Sequence, residues 1–279
     1  MIICRSIDAM RSQVRAWRRE GLRIGFVPTM GFLHDGHLSL VDAAARRADR
    51  VVLSIFVNPT QFGPNEDFEA YPRDAARDEA LCRARGVQAL FYPERAAMYA
   101  ADHSTWVVEE ALTTGLCGRS RPGHFRGVTT VVTKLFNIVQ PDVAVFGRKD
   151  AQQALVIERM VRDLDIPVEV VVAPICREAD GLALSSRNVY LSPDERRRAL
   201  CLSQGLRAAE ARVAAGERRA AVLCADLAAA IQAAGGRVDY VECVSRRTLA
   251  TLSALDEPAL LAVAAFFGRT RLIDNAYLG

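Results

Sequence analysis

Two hydrophobic rhythms alternate along the first two-thirds of this chain. Strand-like, largely apolar runs occur at residues 23–28, 50–57, 87–92, 105–109, 143–147 and 168–173. Between and around them lie stretches with apolar residues at helical spacing: 7–20, 36–48, 72–85, 128–139 and 151–164. Strands buried on both faces read as continuous apolar runs, and strand–helix alternation implies right-handed βαβ units. The pattern predicts an α/β fold with a doubly wound, Rossmann-like parallel sheet. Ligands of such sheets bind beyond the carboxyl ends of the strands.

After Asn188 the pattern changes. Ser192-Pro193-Asp194-Glu195 has an N-cap serine, a proline at the first helical position and a capping-box glutamate. It predicts a helix running to about residue 215, followed by one over 217–234. Strands are predicted at 238–244, 259–267 and 270–275. Two domains are therefore expected: residues 1–173, Rossmann-like, and residues 174–279, a smaller α+β domain covering the cleft as a lid.

Composition narrows the function classes. A formal net charge of +3 over 279 residues is too small to argue for a nucleic-acid partner. No apolar run reaches membrane-spanning length, and residues 1–11 lack the apolar centre of a signal peptide. The seven cysteines are scattered, with no Cys-x-x-Cys pair, as suits a reduced cytoplasmic protein without a zinc site. Of the 36 basic residues only Lys134 and Lys149 are lysines. Lysine is a compact point charge where arginine is a planar fork, so these two are candidate sites for a small ammonium.

The sharpest chemistry is His34-Asp35-Gly36-His37, at a predicted strand-to-helix turn. Unpaired N–H groups and the helix dipole favour an anion there. Two imidazoles three residues apart share one face of the first turn, and Gly36 lets a phosphate approach the backbone. The same motif is compatible with a metal half-site or with two polar residues closing a turn. A second element agrees with the phosphate reading: Gly181 to Asn188, a small loop with Ser185, Ser186 and Arg187, offers hydroxyl donors and a guanidinium fork to a polyphosphate. Asn58 to Phe62 follows the second predicted strand and Gly147 to Asp150 the fifth, so loops far apart in sequence are expected to converge on one cleft.

Six stretches carry a resemblance to a known family: Phe26 to Gly31 leading into the His34–His37 motif, Phe56 to Phe62, Arg121 to Val128, Phe146 to Gln153, Asp180 to Asn188 and Arg271 to Asn275. There the chain resembles the pantothenate synthetase (pantoate–β-alanine ligase) family of the nucleotidylyltransferase superfamily, related to class I aminoacyl-tRNA synthetases. The resemblance implies ATP-dependent condensation of (R)-pantoate with β-alanine through a pantoyl adenylate, with no enzyme nucleophile. It also implies Mg²⁺ carried with ATP, and a homodimer.

For the residues, the resemblance implies that Met30, Gly31, His34, Gly36 and His37 border ATP, with His37 the proposed proton donor. Lys149 would bridge the pantoate carboxylate and the reacting phosphate; its other reading is a surface lysine at a helix start. Gly147 and Asp150 would face the ribose, with Arg148 between them. Cys176 and Leu184 would touch the nucleotide through backbone atoms, and Ser185, Ser186 and Arg187 would hold the outer phosphates. Gln61 and Gln153 look like pantoate ligands, since an amide offers both donor and acceptor. Asn58, Tyr71, Arg121 and His124 are further candidates for the cleft or its gate, and residues 62–65 for a mobile turn. Lys134 faces either the pantoate pocket or solvent. The chain departs from the family pattern at Arg148, expected to point to solvent, and at Ala151. Competing readings are an adenylyltransferase that leaves AMP on its product, a non-catalytic nucleotide-binding domain, and a tRNA synthetase, for which the chain is short.

Overall fold

The computed structural model describes residues 1–64 and 66–279; Asn65, in the turn expected at 62–65, lies outside the described residues. In chain order the elements are β1 (Ile2–Cys4), α1 (Ile7–Arg19), β2 (Ile24–Thr29), α2 (Asp35–Ala45), β3 (Arg50–Ile55), α3 (Ala75–Ala84), β4 (Ala89–Phe91), α4 (Arg95–Met98), α5 (Leu116–Ser120), α6 (His124–Val139), β5 (Val143–Gly147), α7 (Ala151–Asp163), β6 (Glu169–Ala173), α8 (Pro193–Ala199), α9 (Cys201–Ala214), α10 (Ala220–Ala233), β7 (Arg237–Ser245), β8 (Ala259–Phe267) and β9 (Thr270–Leu278). They form two compact units. The first comprises Met1–Glu110, Arg121–Arg148 and Gln153–Pro174; the second comprises Ala111–Ser120, Lys149–Gln152 and Ile175–Gly279.

The first unit holds a six-stranded parallel sheet in the order β1-β4-β3-β2-β5-β6. The strand order reverses between β2 and β5, the crevice in which open α/β sheets bind ligands. Val27, Leu53, Leu90, Val143 and Val145 of the strands pack with Leu40, Val41 and Ala44 of α2. In the second unit β7, β8 and β9 form an antiparallel sheet. One face packs Leu261, Val263, Ala265, Leu272 and Ala276 with Leu202, Leu206, Leu223 and Leu227 of α9 and α10.

Two expected elements differ, and one strand is additional. Residues 105–109 form no strand: the Val107 N–H donates to Thr130 Oγ1 at 3.0 Å and its carbonyl accepts from Thr129 Oγ1 at 2.7 Å. Side chains of α6 thus take the bonds a neighbouring strand would make. The helix expected from Ser192 to about 215 is two, α8 and α9, meeting at Leu200; its capping box at Ser192 and Glu195 forms as expected. Strand β1 is too short to show a period in sequence and is fixed by pairing Ile2, Ile3 and Cys4 with β4.

Two polar devices shape the loops at the carboxyl edge of the parallel sheet. The first is Asp78 of α3, 1% exposed, which accepts the N–H groups of Phe32 and Leu33, each at 2.7 Å. It fixes a tight bend in which Gly31 and Phe32 both have positive φ, +85° and +49°. A Cβ at Gly31 would lie 2.8 Å from Ile55 Cγ2, so the position has no room for a side chain. Burial pushes the Asp78 carboxyl above its ordinary value, while the N–H groups of Leu33 and Phe32 pull it down. The second device is a clasp. Arg121 grips Glu66 with two bonds, Nε to Oε1 at 2.6 Å and Nη2 to Oε2 at 2.7 Å. Burial raises the Glu66 carboxyl, but the bonds and charge of Arg121 outweigh it and hold the group below its ordinary 4.5.

Each device has an expected test. Asp78→Ala strands two buried N–H groups and should cost about 3 kcal/mol in urea unfolding; a loss within error would refute the bracing role. The Glu66 contribution is complete above pH 4.5 and is lost as pH falls through the lower folded value. Wild type should therefore lose its thermal advantage over Glu66→Gln only below pH 4.5, whereas a pH-independent Tm difference would contradict the clasp.

Candidate active site

The chain leaves β2 through the bend braced by Asp78 and enters α2 at His34. The first N–H groups of any α-helix lack intrahelical partners. Here two imidazoles supply them. His34 is the N-cap, and its Nδ1 accepts the Gly36 N–H at 3.1 Å; His37 Nδ1 accepts the His34 N–H at 3.3 Å. The rings lie 4.0 Å apart between centroids at 33°. A backbone N–H can only donate, so in both rings Nδ1 is the acceptor and the neutral imidazole carries its proton on Nε2. Turn closure is thus the work of the Nδ1 atoms of both rings.

Strand β3, next to β2, ends in a second construction. A 3₁₀ turn, Pro59–Gln61, sits against α6 at Gly127, where a Cβ would lie 2.5 Å from the Thr60 carbonyl oxygen. Asn58 is buried and fully engaged. Its Nδ2 donates to Gln61 Oε1 at 3.0 Å and to the Gly127 carbonyl at 3.1 Å, while Oδ1 accepts from Tyr99 Oη and Thr60 Oγ1, each at 3.0 Å. This orients the Gln61 amide, whose Nε2 contacts Met30 Sδ at 3.3 Å. The Gln61 carbonyl accepts from His124 Nδ1 at 2.9 Å and Arg121 Nη2 at 3.3 Å. His124 Nε2 then accepts from Arg121 Nη1 at 3.1 Å. Met30, Asn58, Gln61, Arg121 and His124 are thus one connected group. Tyr71 is buried edge-on to Phe62, with ring centroids 6.0 Å apart. A cavity of about 280 Å³ includes Met30 and Gly31 with Phe56, Tyr92 and Arg95, and does not include the imidazoles.

Strand β5, on the other side of β2, ends at Gly147. A Cβ built there meets no protein atom within 4 Å. The protein's own packing leaves that position open. Arg148 follows, half-buried with its Nε out of solvent, so the expectation that it extends into solvent is corrected. Gln153 is half-buried on α7.

The second unit carries the remaining candidates. Lys149 and Asp150 lie in a 3₁₀ turn, Arg148–Asp150, and Lys149 Nζ pairs with Asp150 Oδ2 at 3.2 Å. The carboxylate offsets the poor electrostatics of a cation at a helix start. Asn275 Nδ2 donates to the Lys149 carbonyl at 3.0 Å. Cys176 and Leu184 face each other across a hairpin, joined by Leu184 N–H to Cys176 O at 3.0 Å. Ser185 caps the next turn by accepting the Arg187 N–H at 3.3 Å, and Ser186 is buried. Asn188 ties this turn to the hairpin through Glu178 and the Ala183 carbonyl, at 3.0 and 3.1 Å.

Several of these residues escaped sequence reading. Asp78 was legible only as an acid four positions before Cys82 on the same face of α3. Tyr99 and Glu66 had no local signal. Gln152 and Asn275 stood within recognised motifs without a role. Lys134 holds its ammonium 5.5 Å from the centre of the Tyr99 ring.

The whole chain has known relatives. The model of the family described as pantoate-beta-alanine ligase matches residues 2–277. Pantothenate synthetases of Pelotomaculum thermopropionicum and Moorella thermoacetica are each 56% identical to it, over 100% of this chain and 99% of theirs. The crystal structure of pantothenate synthetase from Thermus thermophilus superposes with a TM-score of 0.93 at 48% identity, covering 99% of both chains. That of pantoate-beta-alanine ligase from Francisella tularensis, complexed with beta-gamma ATP and beta-alanine, gives 0.84 at 33% identity, covering 99% of this chain and 97% of that one. With the fold, the switch-point imidazoles and the full-length match in agreement, this chain belongs to the pantoate-beta-alanine ligase family.

Proposed function

We infer that this chain is an ATP-dependent ligase that condenses (R)-pantoate with β-alanine to give pantothenate, AMP and pyrophosphate. In the first half-reaction a pantoate carboxylate oxygen attacks the α-phosphorus and the bond to pyrophosphate breaks. In the second the β-alanine amine attacks the acyl carbon, the bond to AMP breaks and the amine loses its proton. The reading rests above all on the capping pair of imidazoles at the switch point, in a chain matched end to end by this family.

The chemistry asks for charge neutralisation and positioning rather than a nucleophile. The Nε2–H groups of His34 and His37 donate to phosphoryl oxygens as negative charge moves toward pyrophosphate, with His37 able to pass its proton. Met30, Gly31 and Gly36 border the nucleotide through the bend and the first turn of α2. Gly147 admits the ribose, whose hydroxyls bond to Asp150, and Arg148 contributes to the same border. Lys149 lies between the two anions that must meet, the carboxylate and the α-phosphate, and relieves their repulsion. Cys176 and Leu184 contribute backbone atoms; Ser185, Ser186 and Arg187 hold the β- and γ-phosphates. Gln61 and Gln153 bind pantoate, with Asn58 acting through Gln61. Tyr71 and Arg121 border the substrate, and Arg121 can meet a substrate carboxylate only by sharing its fork with Glu66.

Magnesium enters as part of the nucleotide substrate. The ion would sit mostly on phosphate oxygens and water and would supply charge neutralisation at the phosphates. All seven cysteines are free thiols, as suits the reducing cytoplasm, and among the described residues no helix is long and apolar enough to cross a membrane. The working form is a homodimer.

Isotope exchange between ATP and pyrophosphate tests the sequence of steps. Exchange should require pantoate and proceed without β-alanine; exchange that needs β-alanine, or ignores pantoate, overturns the scheme. Lys149→Ala should keep nucleotide affinity while adenylate formation falls about 10²–10³-fold. Near-normal turnover in that variant removes the role assigned to the ammonium.

A further inference from the structure

The Arg271–Asn275 motif has no place in the chemistry above, yet the structure connects it directly to Lys149. We propose that Asn275 is a positioning residue for Lys149: its amide fixes the lysine backbone, and through it the reach of the ammonium. The inference rests on the role given to Lys149 in the proposed function.

Strand β9 alternates its side chains between two faces of the small sheet. Leu272, Ala276 and Leu278 join the core against the helices. Arg271 and Asn275 are on the other face, as are Tyr240 and Glu242 of β7. That second face carries two stretches of chain from far away in sequence. Arg271 bonds Asp239 Oδ2 through Nε at 3.0 Å and Nη2 at 2.7 Å, and its Nη2 reaches Cys117 Sγ at 3.5 Å. Tyr240 Oη lies 3.2 Å from the same sulfur. Buried Gln152 donates to the carbonyls of Leu112 and Gly115 at 2.8 and 2.9 Å and accepts the Cys117 N–H at 2.9 Å. Segment 149–152 is thereby bonded to segment 111–120, and both are bonded to the sheet.

Asn275 is the bond that falls on Lys149 itself. It is 2% exposed, and its Nδ2 donates to the Lys149 carbonyl at 3.0 Å across 126 positions of sequence. Its own peptide is held in turn. Asp274 Oδ1 accepts the Asn275 N–H at 2.8 Å, and Arg177 grips the Asp274 carboxylate at 2.6 and 2.9 Å. A buried amide stabilises only where its polar atoms are matched, and an apolar side chain would fill a sheet face as well. What the amide adds is a fixed distance to one carbonyl. With the Lys149 backbone anchored and Nζ drawn to Asp150, the ammonium is left a small arc of positions. A misplacement of about 1 Å in such a group costs on the order of a hundredfold in rate.

A double-mutant cycle read by pantoate-dependent ATP–pyrophosphate exchange tests this. Asn275→Ala and the isosteric Asn275→Asp should each lower kcat by about ten- to a hundredfold, with the KM for ATP changed less than about twofold. In a Lys149→Ala background neither should cause a further loss, because the two residues act as one unit. Full exchange by both Asn275 variants, with Lys149→Ala impaired, overturns the positioning role and leaves the Lys149 assignment standing. Additive losses overturn it as well, placing Asn275 on another path. Full activity of Lys149→Ala overturns the underlying assignment instead. If Asn275→Ala melts below the assay temperature, Asn275→Asp and Asn275→Ser carry the test. Unfolding of all three makes Asn275 a stability residue and defeats the proposal.

Discussion

A helix cannot begin without partners for its first N–H groups, and the choice of partner at α2 governs the rest of this site. Serine, threonine, aspartate or asparagine would satisfy the same geometry. An aspartate would put a negative charge where an anion is to bind, and a hydroxyl would spend its short reach on the backbone. Imidazole has two nitrogens on opposite sides of a rigid ring. When Nδ1 of His34 and His37 accept the N–H groups of Gly36 and His34, the proton is forced to Nε2 in each. In this neutral cap each ring keeps its one N–H on Nε2, and the ring centres lie 4.0 Å apart. The tautomers are set by the backbone and need no further residue to define them.

That arrangement works only if the residues before it are rigid, which explains a buried carboxylate at Asp78. Its two oxygens each take one N–H of the bend that delivers the chain to His34. The cost of burying the charge, visible in its raised pKa, is offset only in part by the two donated N–H bonds, which match one oxygen to each donor. The turn after β3 is braced differently. Asn58 and Gln61 meet donors and acceptors in equal measure, so amides serve where a carboxylate would leave groups unmatched.

The parallel sheet and the His34–His37 turn were legible in the sequence because their causes are local. Apolar runs, helical spacing and turn residues are short-range patterns, and the fifth and eighth strands were placed at their observed limits. What escaped has non-local causes. The run at 105–109 looks like a strand, yet two threonines of α6, some twenty residues on, take its backbone bonds. Asn58 reads as a ligand from its place after a strand, and only the partners Tyr99, Thr60 and Gly127 show that its amide is spent within the protein. Arg148 reads as a solvent-facing departure from the family pattern, and its burial is set by surroundings that the sequence does not reveal. The roles of Asn275 and Gln152 depend on bonds spanning 126 and 35–40 positions, beyond any local signal.

The distribution of charge and neutrality follows the reaction. Bringing a carboxylate to a phosphate concentrates negative charge, and every fixed anion near that meeting would add to the barrier. Within each unit amides brace the candidate residues without net charge: Asn58 and Gln61 in the first, Gln152 and Asn275 in the second. The carboxylates that do occur are already satisfied, Asp78 by two N–H groups, Glu66 by the Arg121 fork and Asp274 by Arg177. Lys149 is the exception in the other sense. Its ammonium rests on Asp150 at 3.2 Å, with the lysine side chain only 21% exposed. Arginine, the chain's usual cation, would hold that carboxylate through a two-pronged fork, as Arg121 holds Glu66. A single ammonium can change partners without reorienting a plane, which gives a physical reason for one of the chain's two lysines to stand there.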